Sequence, residues 1–404
     1  MSYAKSANQK QTINFQLYIS ITFNLITYNF IFIYMTKIRV LIVDDSVFMR
    51  QALVRILTND KIEVIDIARN GKEGVEKTID LKPDLVTMDI EMPVMNGIDA
   101  LKEIMAKYPV PVIMVSTLTS EGADATMEAL SSGAVDFITK RAGFREMDSL
   151  KDEVVSKVLA LGLNPILKNQ MIRRRLQTRF ISQISSSTSK INENTKLNVA
   201  PVAIGTNKAT NRKHGKIEII GIGISTGGPN SLQELVKNLP ENFETPILIA
   251  QHMPAYFTKS LANRLNNLTN LTVKEAESDE FVNKKTIYIA QGGRHLIVKK
   301  NYRLYLTDEP AGLLYKPSVD TLINSIAETY SNRALGIIMT GMGHDGLEGI
   351  GNLVKKGGYA IAQEPDSCVI SGMPKSIIDA CLQDEIQSLS NIAARITEIC
   401  GYNI

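Results

Sequence analysis

An apolar, β-branched run at Ile217, Ile219, Ile220 and Ile222 leads into Gly223-Ile224-Ser225-Thr226-Gly227-Gly228-Pro229. Such a run reads as a buried strand. Pro229 and the segment 231–236 read as the first turns of a helix, since proline is tolerated where its missing N–H would be unpaired anyway. Glycines at this density let the backbone turn sharply without a Cβ clash. Ser225 therefore sits on a tight strand-to-helix turn. The helix start offers free N–H groups and a partial positive charge, which suit a developing anion. Gly223-Ile224-Ser225-Thr226-Gly227 also has the spacing of a nucleophile elbow. A serine that merely caps the helix fits the same stretch, so the turn alone leaves both readings open.

The alternation continues downstream. A short apolar strand over 246–251 ends just before His252. The sequence predicts a helix over 257–268, a strand over 286–290, a hairpin from 295–298 and 302–306, and a helix over 320–330. Another buried strand, 334–340, ends in Gly341-Met342-Gly343-His344-Asp345-Gly346, before a helix over 347–356. Ser225, His252 and Asp345 each follow the C-terminal end of a predicted parallel strand. An open α/β sheet places its site on that edge. Serine needs a base to become a nucleophile. Histidine can take its proton near neutral pH and pass it to the leaving group, and a carboxylate can hold the imidazole in one tautomer. His295 or His344 could be the base instead, so chemistry alone does not fix the choice. Gly341 to Gly346 also matches G-x-G-x-x-G after a strand, with Glu364 some twenty residues on, so a dinucleotide-binding output domain controlled by the first half of the chain is the competing reading. Against it, Asp345 would sit where pyrophosphate needs neutral backbone.

The first half has its own alternation. Strands are predicted over 38–43, 62–67, 84–89, 112–116 and 135–138, with helices over 47–58, 71–80, 97–108, 121–131 and 146–161. That pattern implies a parallel sheet covered on both faces. Right-handed crossovers then bring all strand C-terminal ends to one rim. Asp44, Asp45, Asp89, Ser116 and Lys140 fall at that rim. Three converging carboxylates repel unless a hard cation such as Mg²⁺ lies between them. A lysine and a hydroxyl beside them could hold phosphoryl oxygens.

Between the halves, 164–216 holds eleven Lys/Arg and one acid, Glu193, in a chain whose net charge is +3. It is rich in Asn, Ser, Thr and Lys and reads as a flexible tether. Arg173-Arg174-Arg175 reads as a solvated face, with a partner-binding patch as the lesser alternative. The basic charge is local, and the second half lacks a basic recognition helix, which disfavours DNA binding. Residues 11–36 carry no charge. Gln16, Asn24 and Asn29 interrupt the apolar stretch 15–34 and would be costly in hydrocarbon. Met35 as the true start is the favoured reading and a membrane anchor the lesser one. Cys368, Cys381 and Cys400 are odd in number and unpaired in spacing, which fits a reducing cytoplasm. The expected layout is an extension 1–34, a first domain 35–161, a basic linker 162–215 and a second domain 216–404.

The motifs Asp44-Asp45-Ser46, Asp89-x-x-Met92-Pro93-x-x-Asn96-Gly97 and Thr139-Lys140 resemble those of response-regulator receiver domains. Gly223-Ile224-Ser225-Thr226-Gly227-Gly228-Pro229, Gln251-His252-Met253-Pro254, Thr340-Gly341-Met342-Gly343-x-Asp345-Gly346 and Ser371-Gly372-Met373-Pro374 resemble those of the chemotaxis protein-glutamate methylesterase (CheB) family. The resemblance covers nearly the whole chain after Met35. It implies a flavodoxin-like receiver with a five-stranded parallel sheet, joined to a doubly wound, mostly parallel α/β catalytic domain. It implies Asp89 as phosphoacceptor, with Asp44, Asp45, Asp89 and the Glu91 main-chain carbonyl around Mg²⁺. Ser116 and Phe137 are then the receiver switch, and Lys140 the contact to the phosphoryl group. It further implies Ser225 as nucleophile, His252 as base and Asp345 as its orienter, with the N–H groups of Thr226 and Met342 as oxyanion hole. The implied activity is hydrolysis of glutamate methyl esters on chemoreceptors, with deamidation of receptor glutamines and no cofactor for the ester chemistry. The implied setting is cytoplasmic and receptor-associated without a membrane span. The implied partners are methyl-accepting chemoreceptors and a chemotaxis histidine kinase, with no nucleic acid.

Overall fold

The computed structural model describes residues 37–140, 147–173, 175 and 215–402. The extension 1–34, the apolar stretch within it, Arg174 and most of the basic linker lie outside the described residues.

Five strands, β1 (Ile38–Val43), β2 (Ile62–Ala68), β3 (Leu85–Asp89), β4 (Val112–Thr117) and β5 (Asp136–Lys140), form one parallel sheet in the order β2-β1-β3-β4-β5. The helices between and after them are α1 (Val47–Leu57), α2 (Gly71–Leu81), α3 (Gly97–Lys107), α4 (Ser120–Ser131) and α5 (Met147–Gly162). Local chemistry sets where they start. Ser46, Asn70, Asn96 and Thr119 each accept a backbone N–H with the side chain at a helix N-cap. β1 and β3 are buried almost throughout because helices cover both faces.

A second sheet has seven strands, all parallel: β6 (Ile219–Ile224), β7 (Ile247–Gln251), β8 (Thr272–Glu275), β9 (Thr286–Ile289), β12 (Ala334–Ile338), β13 (Tyr359–Gln363) and β14 (Glu385–Gln387), in the order β14-β13-β12-β6-β7-β9-β8. The antiparallel hairpin β10 (His295–Val298) and β11 (Leu304–Thr307) stands apart from it. Six helices flank these strands: α7 (Gly228–Lys237), α8 (Phe257–Asn266), α9 (Val319–Tyr330), α10 (Leu347–Lys355), α11 (Gly372–Asp379) and α12 (Leu389–Ile399). β6 lies at the centre of the sheet between β12 and β7, where the chain order reverses. That is the switch point at which such sheets open a crevice.

Two departures from the sequence reading matter. The expected tether begins with structure: residues 165–173 are helical (α6), and Leu167 and Met171 are buried against Val158 and Leu161. Arg175 lies on the same side, donating to the Pro109 carbonyl at 2.7 Å with its guanidinium over the Tyr108 ring. The apolar residues at a helical spacing were masked by the polar composition around them. The two halves also share an interface. Phe137 of β5 stacks on Phe257 at the start of α8, with centroids 4.6 Å apart and planes 10° from parallel. Ser260 donates to Asp124 at 2.5 Å, and Gln233 of α7 pairs with Ser131 of α4 at 3.3 Å. Among the described residues no helix is long and apolar enough to cross a membrane.

Candidate active site

β6 ends at Ile224, and the chain turns over Ser225 to Gly227 into α7. Gly227 has φ 77°, a conformation that favours glycine. A Cβ on Gly228 would lie 1.9 Å from the Gln251 Oε1, so only glycine lets the turn close against β7. The Ser225 N–H donates to the Thr340 carbonyl at 2.9 Å, and its carbonyl accepts from the Gly228 N–H and from Gln251. Backbone bonds thus clamp Ser225 between the ends of β12 and β7. Its hydroxyl makes no hydrogen bond among the described residues.

His252 follows β7, with its N–H on the Ile224 carbonyl at 3.1 Å. Its Nε2 lies 2.8 Å from Asp345 Oδ2. The Tyr315 ring stacks on the imidazole, 4.1 Å between centroids and 9° from parallel. The remaining ring nitrogen, Nδ1, is buried without a partner. An Asp345 carboxylate that accepts Nε2–H leaves the lone pair on Nδ1.

Asp345 lies in the loop after β12, where Gly343 and Gly346 have φ 87° and 107°. The start of α9 holds its carboxylate. Ser318 Oγ and the Asp320 N–H reach Oδ1 at 3.2 and 2.9 Å, and the Val319 N–H reaches Oδ2 at 2.8 Å. Burial raises the Asp345 pKa, but the bond to His252, the imidazole charge and these N–H donors outweigh it and hold it at about 2. A Cβ on Gly341 would meet Ser225 Cβ at 2.8 Å, so this loop touches the serine. The N–H groups of Thr226 and Met342 donate to no partner among the described residues.

The other two candidate bases are placed differently. His344 is exposed. His295 is fully buried, and its Nδ1 accepts the Ser318 N–H at 3.1 Å. Burial and then the Lys316 charge lower its pKa, so it is a neutral structural ring. His295→Ala removes that ring and orphans a buried N–H. It is expected to cost about 2–4 kcal/mol of stability. Urea unfolding checks this, and an unchanged midpoint would contradict the burial. The dinucleotide reading of the same loop is not supported. Met373 and Ser225 crowd Gly341, and Asp345 holds the N-terminus of α9.

On the other rim, one carboxylate oxygen each of Asp44, Asp45 and Asp89 lie within 4.8 Å of one another. Lys140 Nζ lies 2.6 Å from Asp89 and 3.3 Å from Asp44. Asp44 Oδ2, the oxygen that faces Lys140, is buried. Burial pushes Asp89 up to about 6. Asp44 and Asp45 push the same way, and Lys140 opposes them. Ser116 donates to the Gly122 carbonyl at 3.0 Å, towards α4, and Glu91 is exposed. The sequence reading missed Tyr315, Ser318 and Asp320. Ser318 before an apolar helix was the only local signal among them.

Residues 220–396 match the CheB methylesterase family and residues 40–151 the response regulator receiver domain family. A protein-glutamate methylesterase/protein-glutamine glutaminase of Lawsonia intracellularis is 44% identical over 367 residues, covering 89% of this chain and 98% of the relative. The chain belongs to the CheB methylesterase family. A Bacillus licheniformis relative of the same description is 43% identical over 366 residues, covering 89% of this chain and 97% of its own length. The crystal structure of the Thermotoga maritima CheB methylesterase catalytic domain is 41% identical, covers 45% of this chain and 98% of its own, and has a TM-score of 0.44. As a member of this family the chain joins a receiver to the methylesterase domain in the order expected from its motifs.

Proposed function

We propose that this protein is a phosphorylation-regulated serine hydrolase that removes methyl esters from glutamates of chemoreceptors, releasing methanol, and deamidates specific receptor glutamines. The observation that carries this reading is the 2.8 Å contact of His252 Nε2 with Asp345, beside a serine clamped on the neighbouring strand end. The names of the two relatives, protein-glutamate methylesterase/protein-glutamine glutaminase, agree with it.

In this mechanism His252 Nδ1 takes the Ser225 hydroxyl proton as Oγ bonds to the ester carbonyl carbon. Such nucleophile–base contacts often tighten only when substrate binds. The carbonyl π electrons move onto oxygen, where the free N–H groups of Thr226 and Met342 receive the negative charge. As the intermediate collapses, the C–OCH₃ bond breaks and His252 returns the proton, so methanol leaves. Water then attacks the acyl-serine by the same route, giving glutamate and free Ser225. A glutamine side chain follows the same steps with ammonia leaving. The test is methanol release from methylated receptor membranes, and absence of release by the wild type would refute the reading.

Asp89 is the phosphoacceptor in this reading, and a histidine kinase of the chemotaxis system the phosphodonor. The three close carboxylates, with the buried Asp44 Oδ2 facing only an ammonium at 3.3 Å among the described residues, fit a hard divalent cation. Asp44, Asp45, Asp89 and the Glu91 carbonyl would hold Mg²⁺, which would supply positive charge against the phosphoryl oxygens. Lys140 contacts the phosphoryl group, and Ser116 exchanges its Gly122 carbonyl for a phosphoryl oxygen.

The receiver restrains the esterase through the shared interface. Phe137, three residues before Lys140, stacks on Phe257, and α8 begins only a few residues after His252. Met342 and Val369 pack against the apolar cluster of the first half that includes residues of β1, α1, α5 and α6. Movement at Asp89, Ser116 and Phe137 would shift a docked–undocked equilibrium. A fragment beginning near Lys216 is expected to release methanol about tenfold faster than the unphosphorylated full chain, a difference of ~1.4 kcal/mol between states. Asp89→Asn keeps basal activity and loses stimulation by a small phosphodonor with Mg²⁺. A fragment no faster than its parent would instead favour direct stimulation by the receiver.

A further inference from the structure

α9 and α10 hold each other's N-terminus through two exchanged carboxylates. Asp345 immediately precedes Gly346 and α10, yet it accepts the Val319 and Asp320 N–H groups at the start of α9. Asp320, in the first turn of α9, returns the exchange. Its Oδ1 accepts the Gly346 N–H at 3.0 Å and the Gly349 N–H at 2.7 Å at the start of α10. Four helix-start donors, each otherwise unpaired, are thereby satisfied. The helices are close enough that a Cβ on Gly349 would lie 3.2 Å from the Asp320 backbone and 2.9 Å from Ile323 Cβ.

The geometry points to Asp320 as a positioning residue for the reaction: its carboxylate pins the peptide that directly follows Asp345, and so holds Asp345 on His252. This role rests on the esterase reading above. Asp320 touches neither His252 nor Ser225 through any hydrogen bond among the described residues, so it acts through Asp345. Without the Gly346 bond, the Asp345 loop is hydrogen-bonded to α9 only through its own carboxylate, since the Leu347 N–H on the His344 carbonyl and the Ile350 N–H on the Gly346 carbonyl are bonds within the loop and α10. That carboxylate must then divide its fixed geometry between α9 and the imidazole. Burial pushes Asp320 up to about 6, helped by the Asp345 charge and opposed by the Gly349 N–H. Measurements at pH 7.5 therefore find it mostly ionised.

The requirement is for an oxygen acceptor at this place, more than for a charge. Asp320→Asn keeps an Oδ1 for Gly346 and Gly349, whereas Asp320→Ala keeps none. Steady-state methanol release by the full chain tests this. Asp320→Ala is expected to lower kcat about 10–100-fold with KM within about twofold, and Asp320→Asn to stay within about threefold of wild type. In an Asp345→Asn background, Asp320→Ala should cost less than about twofold more, because its partner has already been lost. A variant that acts only by loosening the domain would lower activity by a similar factor in both backgrounds. If Asp320→Ala fails to fold, Asp320→Ser takes its place in the same cycle. Near-normal kcat for the folded Ala or Ser variant would overturn the role. So would an Asp320→Asn as impaired as the truncation, or equal losses in both backgrounds. A wild type that releases no methanol overturns the esterase reading and this role with it.

Discussion

Ser225→Ala is expected to lower methanol release from methylated receptor membranes by roughly four to six orders of magnitude, with the fold and Asp89 phosphorylation intact. The size follows from what the side chain does. Ser225 supplies the atom that bonds to the substrate carbonyl, and nothing near it can replace that atom. Gly341 and Gly228 crowd the turn, and the Thr226 side chain belongs to a buried residue. The substitution removes one hydroxyl oxygen that makes no hydrogen bond among the described residues and leaves the clamp to Thr340, Gly228 and Gln251 unchanged, so stability should scarcely move. His252→Ala should fall to nearly the same floor, since residues that act as one unit fail together. The residual rate would come from the free N–H groups of Thr226 and Met342 and from substrate binding. The two variants would still take up phosphate from a small phosphodonor at wild-type rates, because Asp89 and its partners lie on the other sheet. A Ser225→Ala protein within tenfold of wild type would place the nucleophile elsewhere.

The parts of this site that were legible in the sequence share one property: each ends a buried parallel strand. Long apolar runs mark β1, β6, β7 and β12, and the residue after each run lands on the site edge whatever the packing details. Asp44, Ser225 and His252 are of this kind, Asp89 is the last residue of β3, and Asp345 stands farther on in the loop after β12. Other elements left no such mark. β8 is four residues long with an exposed, polar start, and β14 has three residues, so neither carries an apolar run to find. Each is an edge strand whose existence depends on the neighbour already being there. The competition between His252, His295 and His344 could not be decided from residue type. Tertiary placement decides it, since only His252 meets Asp345. Tyr315 lies in a loop of Pro, Gly and exposed Leu residues, and its stacking on His252 depends on where that loop returns. The Asp320–Asp345 exchange links helices whose starts are far apart in sequence. Neither residue announces its partner, because an acid in a first helical turn is ordinary on its own. The interface through Phe137 and Phe257 is hidden for the same reason, as both read simply as core residues of their own halves.

Asp345→Asn should lower kcat by about 10³–10⁴-fold while leaving most of the fold standing. The argument turns on hydrogen bonds that an amide cannot reproduce. Asp345 Oδ2 faces both His252 Nε2 and the Val319 N–H, and Oδ1 faces the Asp320 N–H and the Ser318 hydroxyl. An asparagine can place its NH₂ in either position, and each sets it against a backbone N–H. If the NH₂ faces His252, it donates to Nε2, forces the proton onto Nδ1 and removes the base from the serine side. If the oxygen faces His252, the tautomer survives but no negative charge stabilises the imidazolium formed during attack. Both placements lose catalysis, and both cost about 1–3 kcal/mol for the opposed N–H pair. The pH behaviour supplies a second check. Because the folded pKa of Asp345 is depressed to about 2, from the ordinary aspartate value of 3.8, its carboxylate contributes stability above about pH 4. That contribution is lost as pH falls through 2. The wild type should therefore carry an acid-side loss of stability in that window that Asp345→Asn lacks. The activity of the variant should not be restored by raising the pH, since no titration returns the missing charge. An Asp345→Asn enzyme within tenfold of wild type near neutral pH would show that His252 is held and charged by some other group.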